Sequence, residues 1–181
     1  MYFETERLIL RTISIKEAEL LQDFLKRNRA FLEEWEPKRE DGFFAIDNIR
    51  NIIKCELEIN SSKNGLSLYI FKKDEKRIIG NVKLNNIVYG VFLSCFAGYK
   101  LDKDEQGKGY MTEALGEIVR IAFEEYELHR IEANIMPRNK ASIRVVEKTG
   151  FIKEGTSKKY LRINGKWEDH DHYVILNEDM E

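Results

Sequence analysis

The chain has 181 residues, of which 43% are hydrophobic, and this is enough for one sizeable core but too little for two comfortable domains. Its 30 Lys and Arg against 32 Asp and Glu give a formal net charge of −2, so no general attraction to nucleic acid is expected. Two widely separated cysteines exclude a disulfide scaffold, and the sequence shows neither a signal peptide nor an apolar run of membrane-spanning length. We therefore expect one domain over residues 1–181, in the cytoplasm and without membrane contact.

The first part of the chain predicts a strand followed by helical segments. Arg7 to Arg11 is rich in strand formers, and a helix is expected from about Lys16. The segment from Asn28 to Asp41 should form a helical elbow, because Pro37 ends or redirects a helical turn. Apolar residues at helical spacing from Ile46 to Leu57 predict another helix.

The middle of the chain predicts strands and then a long helix. Three successive strands are expected at Leu66 to Phe71, Arg77 to Leu84 and Tyr89 to Leu101, and their short loops make them antiparallel neighbours. A glycine loop then leads into the clearest helical period of the chain, from Met111 to Tyr126. Arg130 to Met136 is the next strand, and the intervening helix predicts that it runs parallel to the strand before that helix.

The last part predicts a short helix and a hairpin. The helix should begin near Asn139 and end at Gly150, which is well placed as a left-handed terminator. The dipeptide Asn164-Gly165 predicts a tight hairpin turn. Strand segments are expected at Phe151 to Gly155, Tyr160 to Ile163 and Lys166 to Leu176.

The stretch from Gln106 to Leu115 carries the clearest chemistry. Gly107 and Gly109 let the backbone approach a ligand closely, and the following helix offers unpaired N–H groups and the positive end of its dipole. No third glycine follows as in dinucleotide-binding motifs, and Lys108 precedes a glycine rather than the serine or threonine of a P-loop. The stretch therefore predicts a pyrophosphate seat that needs no metal.

The order of the elements resembles the GNAT acyl-CoA N-acyltransferase fold. This resemblance implies an α+β, three-layer architecture with a mixed central sheet of about seven strands flanked by helices. Gln106 to Gly109 resembles the acyl-CoA loop of that superfamily, and Asn139 with Gly150-Phe151 resembles its later helix signature. The chain is also similar to the RimJ/RimL branch, whose members acetylate the N-termini of ribosomal proteins, and the RimJ side is the nearer match. The stretches that carry this similarity are Asn28 to Pro37, Ile135 to Ser142 and Asn164 to His170.

The resemblance implies that acetyl-CoA is the co-substrate and that its pantetheine arm lies where two parallel strands splay apart. Because splayed strands leave backbone donors without ladder partners, the Leu101 N–H is our candidate donor to the oxyanion. The implied cofactor-binding residues are Lys100, Leu101, Asp102, Gln106, Gly107, Lys108, Gly109, Tyr110, Met111, Thr112 and Asn139.

The sequence lacks two groups that serve as base and acid in many GNAT enzymes. Phe96 stands where some relatives carry a glutamate base, and Val146 stands where many carry the tyrosine that returns a proton to the CoA thiolate. Resemblance to RimL-type enzymes suggests Ser142 as the acid, with Asn139 nearby, whereas a serine at a helix start more commonly only caps the helix. An α-amine would need less base than a lysine, because about a tenth or more of it is already neutral at neutral pH.

Four residues are candidates for binding the acceptor: Phe31, Trp35, Glu36 and His170. The two aromatic side chains would cover an acceptor peptide or would simply pack in the core, and Glu36 would lie near the acceptor ammonium. His170 is a candidate relay to the amine, and it shares one strand face with His172. No third ligand accompanies these histidines, so no metal is expected.

Three functions remain open. The first is acetyl transfer to the N-terminal α-amine of a protein, of the peptide-alanine N-acetyltransferase type, with a ribosomal protein as the expected partner. We expect no sequence-specific contact with nucleic acid, and we expect the chain to be a monomer or a homodimer. The second is acetylation of a small amine such as a polyamine, an amino acid or an antibiotic, which predicts a deep acidic pocket. The third is a regulator that binds CoA and transfers no acetyl group. The absence of the glutamate base and of the tyrosine acid motivates this alternative.

Overall fold

The computed structural model describes residues 1–180 and, over that range, shows one mixed sheet of eight strands and five α-helices. The strands are β1 (Tyr2–Glu4), β2 (Leu8–Arg11), β3 (Leu66–Lys72), β4 (Ile78–Val88), β5 (Ser94–Leu101), β6 (Arg130–Ile135), β7 (Ile152–Ile163) and β8 (Lys166–Leu176). The helices are α1 (Ala18–Arg27), α2 (Arg29–Leu32), α3 (Ile46–Ser61), α4 (Tyr110–Glu124) and α5 (Lys140–Lys148). No helix of the described residues is long and apolar enough to cross a membrane.

The sheet has the strand order β1-β2-β3-β4-β5-β6-β8-β7. Each neighbouring pair is antiparallel except β5 with β6, which α4 connects. A parallel pair needs such a crossover, whereas the short loops elsewhere join antiparallel neighbours. The predicted α+β architecture with a mixed sheet is therefore confirmed.

Three details of the sheet differ from the prediction of about seven strands. The eighth strand is β1, a short edge strand that pairs with β2 and was not predicted. The strand expected from Tyr89 begins at Ser94, because Gly90 and Leu93 adopt positive φ values of 79° and 39° in the preceding turn. The two strand pieces expected after Gly150 form the single strand β7, which shifts register against β8 where Lys159 has a φ of 51°.

Two hydrophobic cores lie on opposite faces of the sheet. On one face pack α4 and α5, where Leu115, Ile118 and Val146 have no exposed surface. On the other face pack α1 and α3, where Phe24 and Ile49 are equally buried. The apolar residues recur every three or four positions, so each helix turns one apolar face to the sheet. Each fully buried aliphatic or aromatic side chain contributes about 1.5–3 kcal/mol to this packing.

The parallel pair of β5 and β6 opens into a gap. Among the described residues, their pairing runs from Ser94 with Arg130 to Phe96 with Glu132 and then stops. Both strands nevertheless continue, β5 to Leu101 and β6 to Ile135. Their diverging ends turn backbone N–H and C=O groups toward a space that no strand fills.

Candidate active site

A cavity of about 870 Å³ occupies this gap and is lined from both faces of the sheet. Successive residues of β5 point to opposite faces, so Tyr99 and Lys100 mark its two sides. Tyr99 lies on the side of α4 and α5 together with Met111 and Ser142, and we call this the α4 side. Lys100 lies on the other side together with Trp35, just after α2, and we call this the α2 side.

The glycine loop forms one wall on the α4 side. Gly107 and Gly109 have φ values of 75° and 81°, a left-handed conformation that costs other residues energy. Glu113 is the first residue of α4 whose N–H makes a helical hydrogen bond, which it donates to the Gly109 carbonyl. The N–H groups of the residues before it therefore have no partner within α4. These donors and the helix dipole fit a pyrophosphate. The residues of this wall that line the cavity are Gln106, Gly107, Gly109, Met111 and Thr112.

An arginine from the start of the chain holds the loop in place. Arg7 Nε lies 2.7 Å from Glu113 Oε2, and its Nη1 donates to the Lys108 carbonyl at 2.9 Å. Thr5 Oγ1 donates to the same carboxylate at 2.5 Å. The Tyr110 ring packs 4.8 Å below the Arg7 guanidinium and does not line the cavity. Tyr110, predicted to bind the cofactor, thus supports the loop from behind.

A second carboxylate, Glu105, anchors the loop from below. Its side chain is only 4% exposed and contacts Lys72 Nζ and Arg77 Nη2 at 3.1 Å each and Lys108 Nζ at 2.9 Å. Burial acts to raise the pKa of the Glu105 carboxyl, but hydrogen bonds from Lys108 and Lys72 outweigh it and lower that pKa. The Lys108 side chain is therefore used structurally and does not line the cavity.

The end of β5 turns a backbone donor into the gap. The Asp102 N–H donates to the Ile79 carbonyl of β4 at 2.7 Å, and successive residues of a strand point their N–H groups to opposite sides. The Leu101 N–H therefore faces the gap, and Leu101 lines the cavity. The Asp102 side chain is fully buried, 2.7 Å from Arg27 Nε, and does not line it.

The start of α5 brings the predicted pair Asn139 and Ser142 to the cavity. Asn139 Oδ1 accepts a hydrogen bond from the Ser142 N–H at 3.1 Å, so Asn139 is the residue that caps the helix. The Ser142 hydroxyl instead donates to the Tyr99 hydroxyl at 2.7 Å, and Tyr99 donates to the Ser142 carbonyl at 3.0 Å. Burial raises the pKa of Tyr99, whereas the hydrogen bond from Ser142 works to lower it. Tyr99 was not predicted, because nothing in the sequence spacing relates it to Ser142.

The predicted acceptor residues Phe31, Trp35 and Glu36 line the α2 side. The segment that carries them is held from two directions. Asn164, in the β7–β8 turn, accepts from the Lys38 N–H at 2.5 Å and donates to the Glu33 carbonyl at 2.6 Å. The Arg138 guanidinium, from the loop after β6, lies 5.0 Å over the Trp35 ring.

The charges around the cavity are unequal. Among the described residues that line it, Glu36 is the one carboxylate, while Lys100, Arg144 and Lys148 are cationic. Glu36 Oε2 lies 2.6 Å from Lys100 Nζ and is thus already paired. Burial lowers the pKa of the Lys100 ammonium, although Glu36 works to raise it.

The two histidines of β8 have different surroundings. His170 lines the cavity, and its Nδ1 lies 3.1 Å from the Glu168 carbonyl. His172 lies outside the cavity lining, with Nδ1 2.9 Å from Glu132 Oε1 and Nε2 2.7 Å from Ser157 Oγ. The described residues contain no group of three or more His, Cys, Asp or Glu that could hold a metal ion.

Asn134 of β6 also lines the cavity and was not predicted. It pairs with His172 across the β6–β8 ladder, so its side chain points to the same face of the sheet. Its Oδ1 is buried and accepts no hydrogen bond from the described residues. A ligand that donates an N–H on this face would satisfy it.

The known proteins that this chain resembles agree with the geometry of its cavity and glycine loop. The acetyltransferase (GNAT) domain model matches residues 7–152. The probable N-acetyltransferase YjcK of Bacillus subtilis is 41% identical over 174 residues, which cover 96% of each chain. The [ribosomal protein uS5]-alanine N-acetyltransferase of Escherichia coli is 37% identical over 166 residues, which cover 92% of this chain and 86% of the relative.

A solved structure shows the same likeness in three dimensions. Mycobacterium smegmatis RimJ in complex with CoA-disulfide superposes with a TM-score of 0.89 at 28% identity, over 96% of this chain and 83% of that one. Taken with a loop whose free N–H groups suit a pyrophosphate, these matches show that the chain belongs to the GNAT acetyltransferase family and is an acyltransferase that uses acetyl-CoA.

Proposed function

We propose that this chain transfers the acetyl group of acetyl-CoA to the N-terminal α-amine of a protein, and that the acceptor is a ribosomal protein encountered in the cytoplasm. The relative named for acetylating a ribosomal protein, at 37% identity, supports this acceptor class. The observation that carries the proposal is the charge of the α2 side, where the one lining carboxylate, Glu36, is already paired with Lys100.

That charge distribution disfavours the alternative acceptors. A polyamine carries several positive charges and would need free carboxylates along the cavity wall. Among the described lining residues, the one carboxylate is Glu36, which is paired with Lys100, whereas Arg144 and Lys148 belong to α5 on the α4 side. A protein N-terminus brings one amine with a pKa near 7.7–8.0, against about 10.4 for a lysine, and therefore reaches its neutral form at little cost.

We assign the two sides of the cavity to the two substrates. Bound acetyl-CoA supplies the acetyl group as a thioester that an amine can attack. Backbone donors from Gly107 to Thr112 would hold its pyrophosphate, and the Asn139 amide would contact the pantetheine arm. The acceptor would enter past Phe31 and Trp35 on the α2 side, with His170 beside it.

Catalysis in this proposal rests on orientation and on two groups. The Leu101 N–H, which faces the gap, would donate to the acetyl oxygen as negative charge develops there. The Ser142 hydroxyl, which donates to Tyr99 in this structure, would turn its proton to the departing sulfur, and water would carry the proton lost by the amine back to Ser142. Val146 is fully buried in the core and has no side-chain proton to donate.

The experiment that tests the proposed acceptor class is mass spectrometry of ribosomal proteins. A strain that lacks this chain should show one ribosomal protein without its N-terminal acetyl group, and the wild-type gene should restore the modification. A gene that encodes the Gly109→Glu variant should not restore it. An unchanged set of N-termini in the deletion strain would contradict the proposal.

A further inference from the structure

The α2 side of the cavity carries one ion pair between two partly buried side chains. Lys100 Nζ lies 2.6 Å from Glu36 Oε2, and the two side chains are only 27% and 21% exposed. Glu36 is the one carboxylate among the described lining residues. Glu36 is therefore already paired with Lys100 and is not free to bind a positively charged acceptor.

The other carboxylates on this face of the sheet already have partners. Glu132 of β6 lies 2.9 Å from His172 Nδ1, and Glu168 of β8 lies 3.6 Å from Lys166 Nζ. Lys83 of β4, on the same face, is paired with Glu56 of α3. Asp102, two residues beyond Lys100, is paired with Arg27 of α1. Arg39, between α2 and α3, lies over the Phe43 ring and adds positive charge. His170 faces the cavity from β8. A second ammonium placed here would meet like charge in a partly buried site, which disfavours its protonated form.

A neutral amine finds a suitable partner in the same wall. Asn134 Oδ1 is buried, lines the cavity and accepts no hydrogen bond from the described residues. It can accept an N–H from either form of an amine, and a neutral amine held in this way keeps its lone pair for attack on a carbonyl. A buried amide oxygen left without a donor is costly, so this contact favours binding.

We propose that Lys100 makes the cavity bind the acceptor amine in its neutral form, and that Lys100 thereby selects α-amines over the side chains of lysines. The inference rests on the proposed function, because it takes the α2 side as the acceptor site. At pH 7 about a tenth of an α-amine is neutral, compared with fewer than one lysine side chain in a thousand. A site that accepts the neutral form alone therefore favours α-amines by roughly two orders of magnitude.

The test is the number of protons released when an acceptor binds. A heptapeptide with a free N-terminal alanine is titrated at pH 7.0 into the full chain saturated with CoA, so that no acetyl transfer occurs. Calorimetry in buffers with different enthalpies of ionisation gives the proton count. We expect about 0.8–0.9 protons released to the buffer for each peptide bound, because that fraction of the free peptide is protonated.

Two variants separate selection of the neutral amine from loss of a proton by Lys100 itself. Lys100→Met leaves Glu36 unpaired and able to hold an ammonium, so proton release should fall below about 0.2. Lys100→Arg keeps a cation that cannot lose its proton, so release should remain as in the wild type. Loss of release in Lys100→Arg would mean that Lys100 gives up the proton, as a base would, and would overturn the inference.

The remaining outcomes distinguish this inference from the proposed function. Binding to the wild type without proton release, or undiminished release in Lys100→Met, overturns the inference. Acetylation of the peptide is followed in parallel with acetyl-CoA. A peptide that is acetylated but binds without proton release leaves the proposed function standing, whereas one that binds with proton release but is never acetylated contradicts that function and not the inference. Failure of the peptide to bind would contradict both.

Discussion

Replacing Gly109 with glutamate should weaken acetyl-CoA binding by about a hundredfold or more while the fold is retained. Gly109 has a φ of 81°, and a Cβ at this position would lie 3.3 Å from Arg7 Nη2. A non-glycine residue in this conformation costs about 1–2 kcal/mol of folding stability. The new carboxylate also adds a like charge beside the pyrophosphate seat, which at about 5 Å and an effective dielectric constant near 20 opposes binding by about 3 kcal/mol. This corresponds to a loss of affinity of roughly two orders of magnitude.

Gly109→Ala is the matched control, because it carries the backbone strain and the Cβ but no charge. Calorimetric titration with acetyl-CoA should show the alanine variant within about tenfold of the wild type and the glutamate variant weaker by about a hundredfold or more. Thermal unfolding should show similar, modest losses of Tm in both variants. Unchanged affinity in Gly109→Glu would refute the assignment of the loop, and equal losses in both variants would show that strain rather than charge is responsible.

Three further predictions concern the chemistry, the loop and the acceptor segment. Ser142→Ala and Tyr99→Phe should each lower kcat by about tenfold or more with little change in acetyl-CoA affinity, and the double variant should be no slower than the worse single one, because the hydroxyls act as a unit; an unaltered rate would leave Ser142 a structural role. Glu105→Gln should cost about 1–3 kcal/mol of unfolding free energy at pH 7. Because the folded-state pKa of Glu105 is lowered, its contribution is present above the unfolded value near 4.3 and is lost as pH falls below it, so chemical denaturation should show the two proteins converging below about pH 4; a constant difference would contradict this. Asn164→Ala should raise the KM for an acceptor peptide severalfold and leave acetyl-CoA affinity unchanged, since it removes the two hydrogen bonds that hold Glu33 and Lys38, on either side of Trp35 and Glu36; equal effects on both substrates would argue against separate sides.

The parts of the fold that the sequence predicts well are those with a strong local pattern. The apolar period of α4 runs over four turns and follows two glycines, so both the helix and its N-terminal loop could be placed. The strand β1 was missed because it has only three residues, too few for alternation to be recognised in the sequence. The continuity of β7 was missed because Lys159 adopts a positive φ within the strand. Such a conformation is uncommon for lysine, so the residue type gives no sign of it.

The site could be predicted only as far as its residues are close in sequence or match the family loop. Leu101, Asn139 and Ser142 all reach the cavity, as do the four predicted acceptor residues. The partners that decide their chemistry come from elsewhere in the chain: Tyr99 holds Ser142, and Lys100 pairs with Glu36 across 64 positions. Such pairs are set by sheet topology and by which face a strand residue occupies, and a single sequence carries no spacing that encodes them.

Transfer to the α-amine of a protein is the central claim, and a peptide-library acetylation assay tests it most directly. Peptides that vary in their first residues, each with an internal lysine, are incubated with the chain and acetyl-CoA, and mass spectrometry locates the acetyl group. We predict acetyl groups on N-terminal α-amines, with a clear preference among first residues, and none on lysine side chains or on added spermidine. Acetylation of lysine side chains or spermidine in place of N-termini would contradict the claim.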